Sequence, residues 1–354
     1  MPPRQTRTTV HREAQIQPVS SLRFDWAMLG LSVWLVGGAF VDGWAHTHGR
    51  VDTAFFTPWH AAFYSGFMAV ASFLVGHMLR NLVRGYAWRL ALPPGYGLSL
   101  LGALVFWLGG VSDLIWHTLF GIEKDVEALL SPTHLLLACG VWLIVSGPFR
   151  AAWQRAEAPT PHWARQAPML LSLTCMLSAC TFITQIAHPI ANLWGAGNPR
   201  NPTWLFEEMG VVSFLLDTGL LMGLILLAVH RWRLPLGALT LVLTLNAIGM
   251  GFLVYRGAYP LLPVVARGVA GLVADLMLQQ LKPSGQRLAA LRLFAFAVPV
   301  VVSALYFVAV QLTVGIWWSI HCWAGVIVLT GVVGVLLSYL LAPPPVPGRA
   351  PDGI

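Results

Sequence analysis

The side chains best suited to chemistry in this sequence are carboxylates and histidines that recur in two copies of one motif. The first triad is Asp42, His46 and His60, and the second triad is Asp113, His117 and His134. In each triad the aspartate and the first histidine are four residues apart, so on an α-helix they lie on one face, about one turn from each other. A carboxylate oxygen and an imidazole nitrogen can therefore converge on one point.

The two triads belong to an internal repeat of the chain. The offset between the copies is 71 residues for the aspartates and for the first histidines, and 74 residues for the last histidines. Asp52 and Glu123 keep the offset of 71 in the loops that follow, so the second loop is longer by three residues. This self-similarity predicts two helical hairpins of the same architecture, with Glu123 as a further candidate ligand of the second triad.

A Thr-Pro or Ser-Pro pair precedes the last histidine of each triad. Thr57 and Ser131 are suited to cap the next helix, and Pro58 and Pro132 then take its first position, where a missing N–H group costs nothing. The last histidine thus lies in the first turn, across a short loop from its aspartate. One carboxylate and two imidazoles have the number and type of a metal site with an open position. The alternative is helix capping with Asp–His hydrogen bonds and no metal.

The segment from Asp42 to Tyr64, DGWAHTHGRVDTAFFTPWHAAFY, resembles a known metal-binding sequence. It is similar to the copper-binding membrane subunit of the particulate methane and ammonia monooxygenases, which are copper enzymes. The resemblance covers residues 25–148, and it implies that the first triad corresponds to the copper ligands of that subunit. The second triad would fill the second ligand set, where Asp113 stands in place of the Asn of that family and adds a negative charge.

The composition excludes a water-soluble enzyme. Hydrophobic residues make up 57% of the 354 residues and charged residues 10%, whereas soluble domains contain about 25% charged residues. The mean hydropathy is +0.70. We expect an all-α, polytopic integral membrane bundle in the cell (inner) membrane, with about ten transmembrane helices in contact with the lipid bilayer. The apolar stretches lie at about 27–46, 58–79, 94–117, 132–148, 167–188, 208–229, 234–254, 260–280, 288–312 and 316–341.

Basic residues predict how the chain is oriented. With the N-terminus inside, sixteen Lys and Arg residues fall on the cytoplasmic side and four on the opposite side, so both termini are predicted to be cytoplasmic. The pI near 9.6 reflects this bias rather than nucleic-acid binding. The predicted organisation is a cytoplasmic tail (1–24), the repeated hairpins with the ligands (25–148), six further helices (149–341) and a Pro-rich cytoplasmic tail (342–354).

Five other polar residues within or beside the predicted spans need an explanation. His188 and His321 are additional candidate ligands on the outer side. Asp217, Arg267 and Asp275 lie inside spans, where an unpaired charge costs about 2.5–3.5 kcal/mol, so each must have a partner. A salt bridge between Arg267 and one of the acids is the structural interpretation, and a proton or ion path is the functional one.

Three functions fit these observations. The first is a copper-binding membrane protein that, as the resemblance implies, oxidises a small apolar substrate with dioxygen, with other monooxygenase-type subunits as partners. The second is a copper permease or metal-handling protein, which the intramembrane acids favour. The third is a zinc-dependent membrane hydrolase, because His and Asp suit zinc equally well. The sequence makes no prediction of the oligomeric state.

Overall fold

A computed structural model describes residues 21–50, 57–121, 123, 126–155, 161–196, 204–254 and 260–343. The N-terminal tail before residue 21 and the C-terminal tail after residue 343 therefore lie outside the described residues. Within them the regular structure is helical. The α-helices are α1 (Leu22–Thr47), α2 (Pro58–Val83), α3 (Gly97–Phe120), α4 (Glu127–Leu130), α5 (Pro132–Val145), α6 (Gly147–Trp153), α7 (Trp163–Ile183), α8 (Pro189–Asn192), α9 (Trp204–Arg231), α10 (Ala238–Val254), α11 (Leu261–Leu281), α12 (Leu288–Thr313) and α13 (Ile320–Leu341).

Most of these helices have the length and composition of membrane spans. Among the described residues, eight are long and apolar enough to cross a bilayer, and α5 with α6 makes nine if this bent pair is one span. Leu101, Leu104 and Leu108 expose one apolar stripe of α3, as a helix in contact with lipid does. The chain is thus a multi-pass membrane protein built as a helical bundle. The count of ten, the orientation of the termini and the identity of the membrane stay predictions.

Local interruptions change two of the expected spans. The span expected at 132–148 breaks at Ser146, and α5 and α6 meet there at an angle of 42°. Pro148 lacks the N–H group that would continue the helical ladder, and the Ser146 hydroxyl donates to the Trp142 carbonyl at 2.7 Å. The last span begins at Ile320 rather than at residue 316, because the Ser319 side chain caps α13 there.

The first hairpin is closed by two glycines at the interface of α1 and α2. A Cβ atom at Gly38 would lie 2.7 Å from the Cα atom of Phe63, and one at Gly66 would lie 2.8 Å from the Cα atom of Leu35. Both distances are too short for a real side chain, so only glycine permits this approach of the two backbones. Close packing fixes the register of α2 on α1, and with it the position of the first triad.

The second hairpin, α3 with α5, repeats this packing. A Cβ atom at Gly109 would lie 3.1 Å from the backbone nitrogen of Leu137, and one at Gly140 would lie 2.7 Å from that of Phe106. These two glycines follow those of the first hairpin by 71 and 74 residues, the same offsets as the triads. The predicted internal repeat is therefore a repeat of helix register as well as of ligand type.

The remaining long helices hold the hairpins in place. α7 packs against α1 and α5, and α10 packs against α1 and α7. Side chains of these helices share one continuous apolar core with both hairpins. α11, α12 and α13 follow as sequential neighbours, and α9 packs against α13 and α12.

Asp275, one of the three intramembrane charges, has a structural role in this bundle. Its two carboxylate oxygens accept hydrogen bonds from the backbone N–H groups of Leu239 and Thr240, at 3.0 and 2.9 Å, and from the Thr240 hydroxyl at 2.7 Å. These N–H groups belong to the first turn of α10, where helical N–H groups have no partner within the helix. A carboxylate is a favourable acceptor at this end of the helix dipole. Asp275 therefore caps α10 from the neighbouring helix α11.

Candidate metal centre

The first triad is formed by the last turn of α1 and the first turn of α2. Asp42 and His46 lie on α1, and His60 is the third residue of α2. The helix begins there because the Thr57 side chain accepts a hydrogen bond from the His60 backbone N–H at 3.1 Å, with Pro58 at the first position. The predicted cap is confirmed, and it brings the second histidine back to the level of the aspartate.

Distances within the first triad leave room for an ion between the side chains. The Asp42 Oδ1 atom is 3.5 Å from His60 Nε2, and the Asp42 Oδ2 atom is 3.9 Å from His46 Nε2. One donor atom from each residue lies within 4.8 Å of the other two. Metal–ligand bonds of about 2.0–2.2 Å place tetrahedral ligands roughly 3.4 Å from each other, so the spacing of the donors fits a bound cation.

The second triad has the same design on α3 and α5. Asp113 Oδ2 is 3.4 Å from His117 Nε2, and Asp113 Oδ1 is 3.3 Å from His134 Nε2. Ser131 caps α5 and accepts from the His134 backbone N–H at 3.3 Å. The Asp113 side chain is 3% exposed, against 17% for Asp42. The second triad is therefore the tighter and more shielded of the two.

Hydrogen-bonding groups outside the second triad orient its side chains. The Thr133 hydroxyl donates to Asp113 Oδ1 at 2.7 Å, and the Ser131 hydroxyl lies 2.9 Å from His134 Nδ1. Glu123 Oε2 lies 3.0 Å from His117 Nδ1, the nitrogen that does not face Asp113. Glu123 thus makes a charge contact with a candidate ligand, in the usual place of a carboxylate behind a metal-binding histidine, while the hydrogen-bond partner of His117 Nδ1 is the Gly121 carbonyl at 3.3 Å. Asp52, its counterpart in the first hairpin, lies outside the described residues.

Both triads face one cavity of about 810 Å³. All three residues of the first triad line it, as do Asp113 and His134 of the second, and Glu123. The walls are side chains of α1, α2, α5 and α7. The two ligand sets therefore open into a common space rather than to separate surfaces.

Tyr64 also lines this cavity; it closes the segment that carries the resemblance, but the sequence did not identify it as a candidate site residue. It follows His60 by one turn of α2, and the two rings meet edge to face with their centroids 6.1 Å apart. On the other side, a Cβ atom at Gly110 of α3 would lie 3.1 Å from the Tyr64 ring, so the absent side chain leaves space for the phenol. The available signal was its spacing of four from His60, which places both on one helix face.

The buried ion pair predicted for Arg267 is present, and its partner is Asp217. The guanidinium donates two hydrogen bonds to the carboxylate, at 2.8 and 2.9 Å. His188 Nε2 lies 3.4 Å from the same carboxylate, while His188 Nδ1 accepts from the backbone N–H of Ile190. All three charged or titratable side chains are at most 6% exposed.

Two additional candidate ligands are therefore placed away from the triads. His188 lies beyond the end of α7 at Ile183, and its Nε2 atom lies 3.4 Å from the Asp217 carboxylate. His321 lies in the first turn of α13, where it is exposed beside a shallow apolar depression formed with Ala324 and Gly325 of the same helix. Neither histidine is among the described residues that line the cavity.

No family model, no curated protein and no solved structure matches this chain. The resemblance of residues 25–148 to the membrane subunit of the copper monooxygenases is thus carried by the motif alone. Membership of that family stays a prediction.

Proposed function

We propose that this chain is a copper-binding, multi-pass membrane protein in which each triad holds one metal ion and the shared cavity admits an apolar substrate for oxidation. The observation that carries this proposal is the geometry of the two triads: in each, a carboxylate and two imidazoles converge within 4.8 Å at the wall of one cavity. Three protein ligands leave further coordination positions free for a reactant.

The donor set suits copper for two reasons. Sites of nitrogen and oxygen ligands bind Cu²⁺ more tightly than the other divalent ions of the first transition row. The motif also resembles the copper ligands of the monooxygenase family. Zinc and ferrous iron accept the same ligand types, so the identity of the metal is the first property to measure.

The side chains around the triads have distinct tasks in this proposal. When bound, copper supplies one-electron chemistry with dioxygen, which no side chain provides. The aspartates offset the positive charge of the ions, and the imidazoles fix their positions. Thr133 and Glu123 keep Asp113 and His117 oriented through the contacts at 2.7 and 3.0 Å. The Tyr64 hydroxyl is a hydrogen-bond donor for an oxygen atom in the cavity.

The metal-permease alternative was favoured by the acids inside the spans. Asp217 is paired with Arg267, and Asp275 caps α10, so both carboxylates have local structural roles. A carboxylate that relays ions along a path has to exchange partners, whereas these two are held by two or three hydrogen bonds each. Asp217 and Asp275 therefore do not support the metal-permease alternative. Copper uptake into vesicles and zinc-dependent hydrolysis remain as alternative outcomes of the metal experiments.

The test is a metal analysis of the purified protein in lipid nanodiscs, combined with electron paramagnetic resonance, in which Cu²⁺ gives a signal and Zn²⁺ does not. We expect copper in the wild type, loss of one ion when the first triad is replaced by alanine, and loss of the other when the second triad is replaced. His321→Ala is the matched control and keeps the full copper content. Copper binding that persists without both triads would contradict the proposal.

A further inference from the structure

Away from the ligand ends of the helices, the cavity is lined by an apolar floor. We define this floor by six lining residues: Val36, Phe40, Phe63, Leu137, Ala138 and Val141. Val36 precedes Asp42 by six residues on α1, and Val141 follows His134 by seven residues on α5. With a rise of 1.5 Å per residue, the floor extends roughly 10 Å from the triads along the helix axes. The cavity is thus a deep space with its polar groups at one end.

The apolar side chains of the floor determine which kind of ligand can bind there. The described polar side chains that line the cavity belong to the triads, to Glu123 and Tyr64, or to Thr47 and Gln185 near the same helix ends. A charged or hydrogen-bonding group on the floor would find no partner, and burying such a group without one is costly. A ligand that reaches the floor must therefore be a neutral hydrocarbon along that part of its length.

The size of the cavity sets a lower bound on the ligand. Pockets of about 300–1,000 Å³ hold drug-sized molecules, and the volume here is about 810 Å³. A one-carbon molecule would contact only a small part of the wall and would forgo most of the dispersion contacts that a filled cavity provides. The bilayer is as apolar as the floor, so selection comes from how well a molecule fills the cavity rather than from transfer out of water.

We infer that the floor binds the hydrocarbon portion of a medium-length apolar molecule, such as an eight-carbon chain, with one end held at the triads. Its role as substrate rests on the proposed function, whereas the binding of the hydrocarbon does not. A free hydrocarbon and the acyl chain of a membrane lipid share this chemistry, and the experiment must separate them. Such a ligand differs from a gas-sized molecule, which would fill only a small part of the cavity of about 810 Å³.

The experiment is photolabelling in lipid nanodiscs with an octane derivative that carries a diazirine at one end, followed by mapping of the labelled peptides by mass spectrometry. We expect saturable labelling of α5 and α1 at the floor, and competition by unlabelled octane but not by methane. Ala138→Phe fills the floor and should abolish the saturable labelling. Cys139→Phe adds the same ring one residue later, on the exposed side of α5, and should leave it unchanged.

Three further arms make the result decisive. Val36→Phe fills the floor from α1 and serves as a second test if Ala138→Phe lowers the thermal unfolding temperature. A variant with both triads replaced by alanine should still be labelled, so failure of metal binding and failure of this inference give different results. Labelling that is not saturable, or that both filling variants leave unchanged from the wild type, would overturn the inference. A phospholipid that co-purifies in equal amount with the protein and blocks labelling until it is removed would overturn the assignment to a substrate.

Discussion

Each triad aspartate directs its two carboxylate oxygens to different histidines, one on its own helix and one on the next. The contact within the helix follows from a spacing of four residues, and the contact between helices follows from the cap that starts the second helix. The second triad adds two hydrogen-bonding hydroxyl groups, on Ser131 and Thr133, and the charged carboxylate of Glu123 beside its first histidine. The second triad is also the more buried of the two, since the Asp113 side chain is 3% exposed and the Asp42 side chain 17%. The two triads should therefore differ in metal affinity, with the second binding more tightly.

Glu123 provides a direct test of this difference. Its carboxylate is 3.0 Å from His117 Nδ1, and groups in this position typically change metal affinity by about 10- to 100-fold. We expect Glu123→Ala to weaken copper binding at the second triad by that factor, and Glu123→Gln to have a smaller effect because the amide keeps a polar group beside Nδ1 and loses only the charge. The measurement is a copper titration against a chelator in a background without the first triad. Glu127→Ala replaces an exposed acid at the first position of α4 and is the control, which should leave the affinity unchanged.

Residue spacing predicted the contacts within each helical turn but not the contacts between distant segments. The caps at Thr57 and Ser131 follow from local sequence, and both are present. The choice of Asp217 over Asp275 as the partner of Arg267 depends on how α9 and α11 pack, and the sequence left both acids open. Long-range pairs of this kind are set by the fold, because the two residues are 50 positions apart and no local rule brings them together.

At the scale of helices, the close glycine contacts set the relative positions of the triad residues on the two helices of each hairpin. In each hairpin, two glycines let the backbones approach so closely that a methyl group would meet backbone atoms at 3.1 Å or less. Any change in helix separation would move His60 relative to Asp42, or His134 relative to Asp113. The site geometry is therefore a consequence of hairpin packing some distance from the ligands.

Replacing Gly66 by alanine should expose this dependence. The added Cβ atom would lie 2.8 Å from the Leu35 Cα atom, which forces α2 away from α1. Overpacking of this kind costs roughly 1–3 kcal/mol, and we expect a lower unfolding temperature together with weaker copper binding at the first triad only. The measurements are thermal unfolding and copper titration in nanodiscs.

Gly76→Ala is the matched control for this substitution, because it lies on the same helix with nothing within 4 Å of its Cβ position. Alanine is the better helix former, so this variant should be as stable as the wild type or slightly more stable. Equal behaviour of the two alanine variants would show that the close contact at Gly66 does not position the site.

The two repeated hairpins could be predicted from the sequence. The glycines at their helix interfaces recur with the same offsets, 71 and 74 residues, as the ligands. The break at Ser146 and the early end of α7 were not predicted from the apolar stretches alone. Hydropathy records the length of an apolar segment and is insensitive to a single proline or a side-chain cap. His188 lies after the end of α7 and contacts Asp217, and the Ser319 cap places the start of the last span at Ile320.

For the whole molecule, the open question is how many times the chain crosses the bilayer. α10 has 17 residues, a length of about 25 Å, and the hydrocarbon core of a bilayer is about 30 Å thick. Small mismatches of this size are accommodated at modest cost by the bilayer and by flanking residues. α10 is also packed between α1, α7 and α11, so it lies inside the bundle rather than along its surface. We therefore expect it to cross, and with the bent pair α5 and α6 counted as one span we expect ten spans.

An even number of spans places the termini on one side and assigns each loop to a face, which can be read in intact cells with a membrane-impermeant maleimide. In a background without the native cysteines, we expect labelling at Arg50→Cys and Val314→Cys, and protection at Arg84→Cys and Gln286→Cys until the cells are opened. All four positions are exposed, so a difference in labelling reports the side of the membrane rather than burial. If α10 does not cross, every later loop changes sides, because one fewer crossing reverses the direction of α11, α12 and α13. Labelling at Gln286→Cys with protection at Val314→Cys would then be observed, while the two positions in the hairpins would keep their assignment.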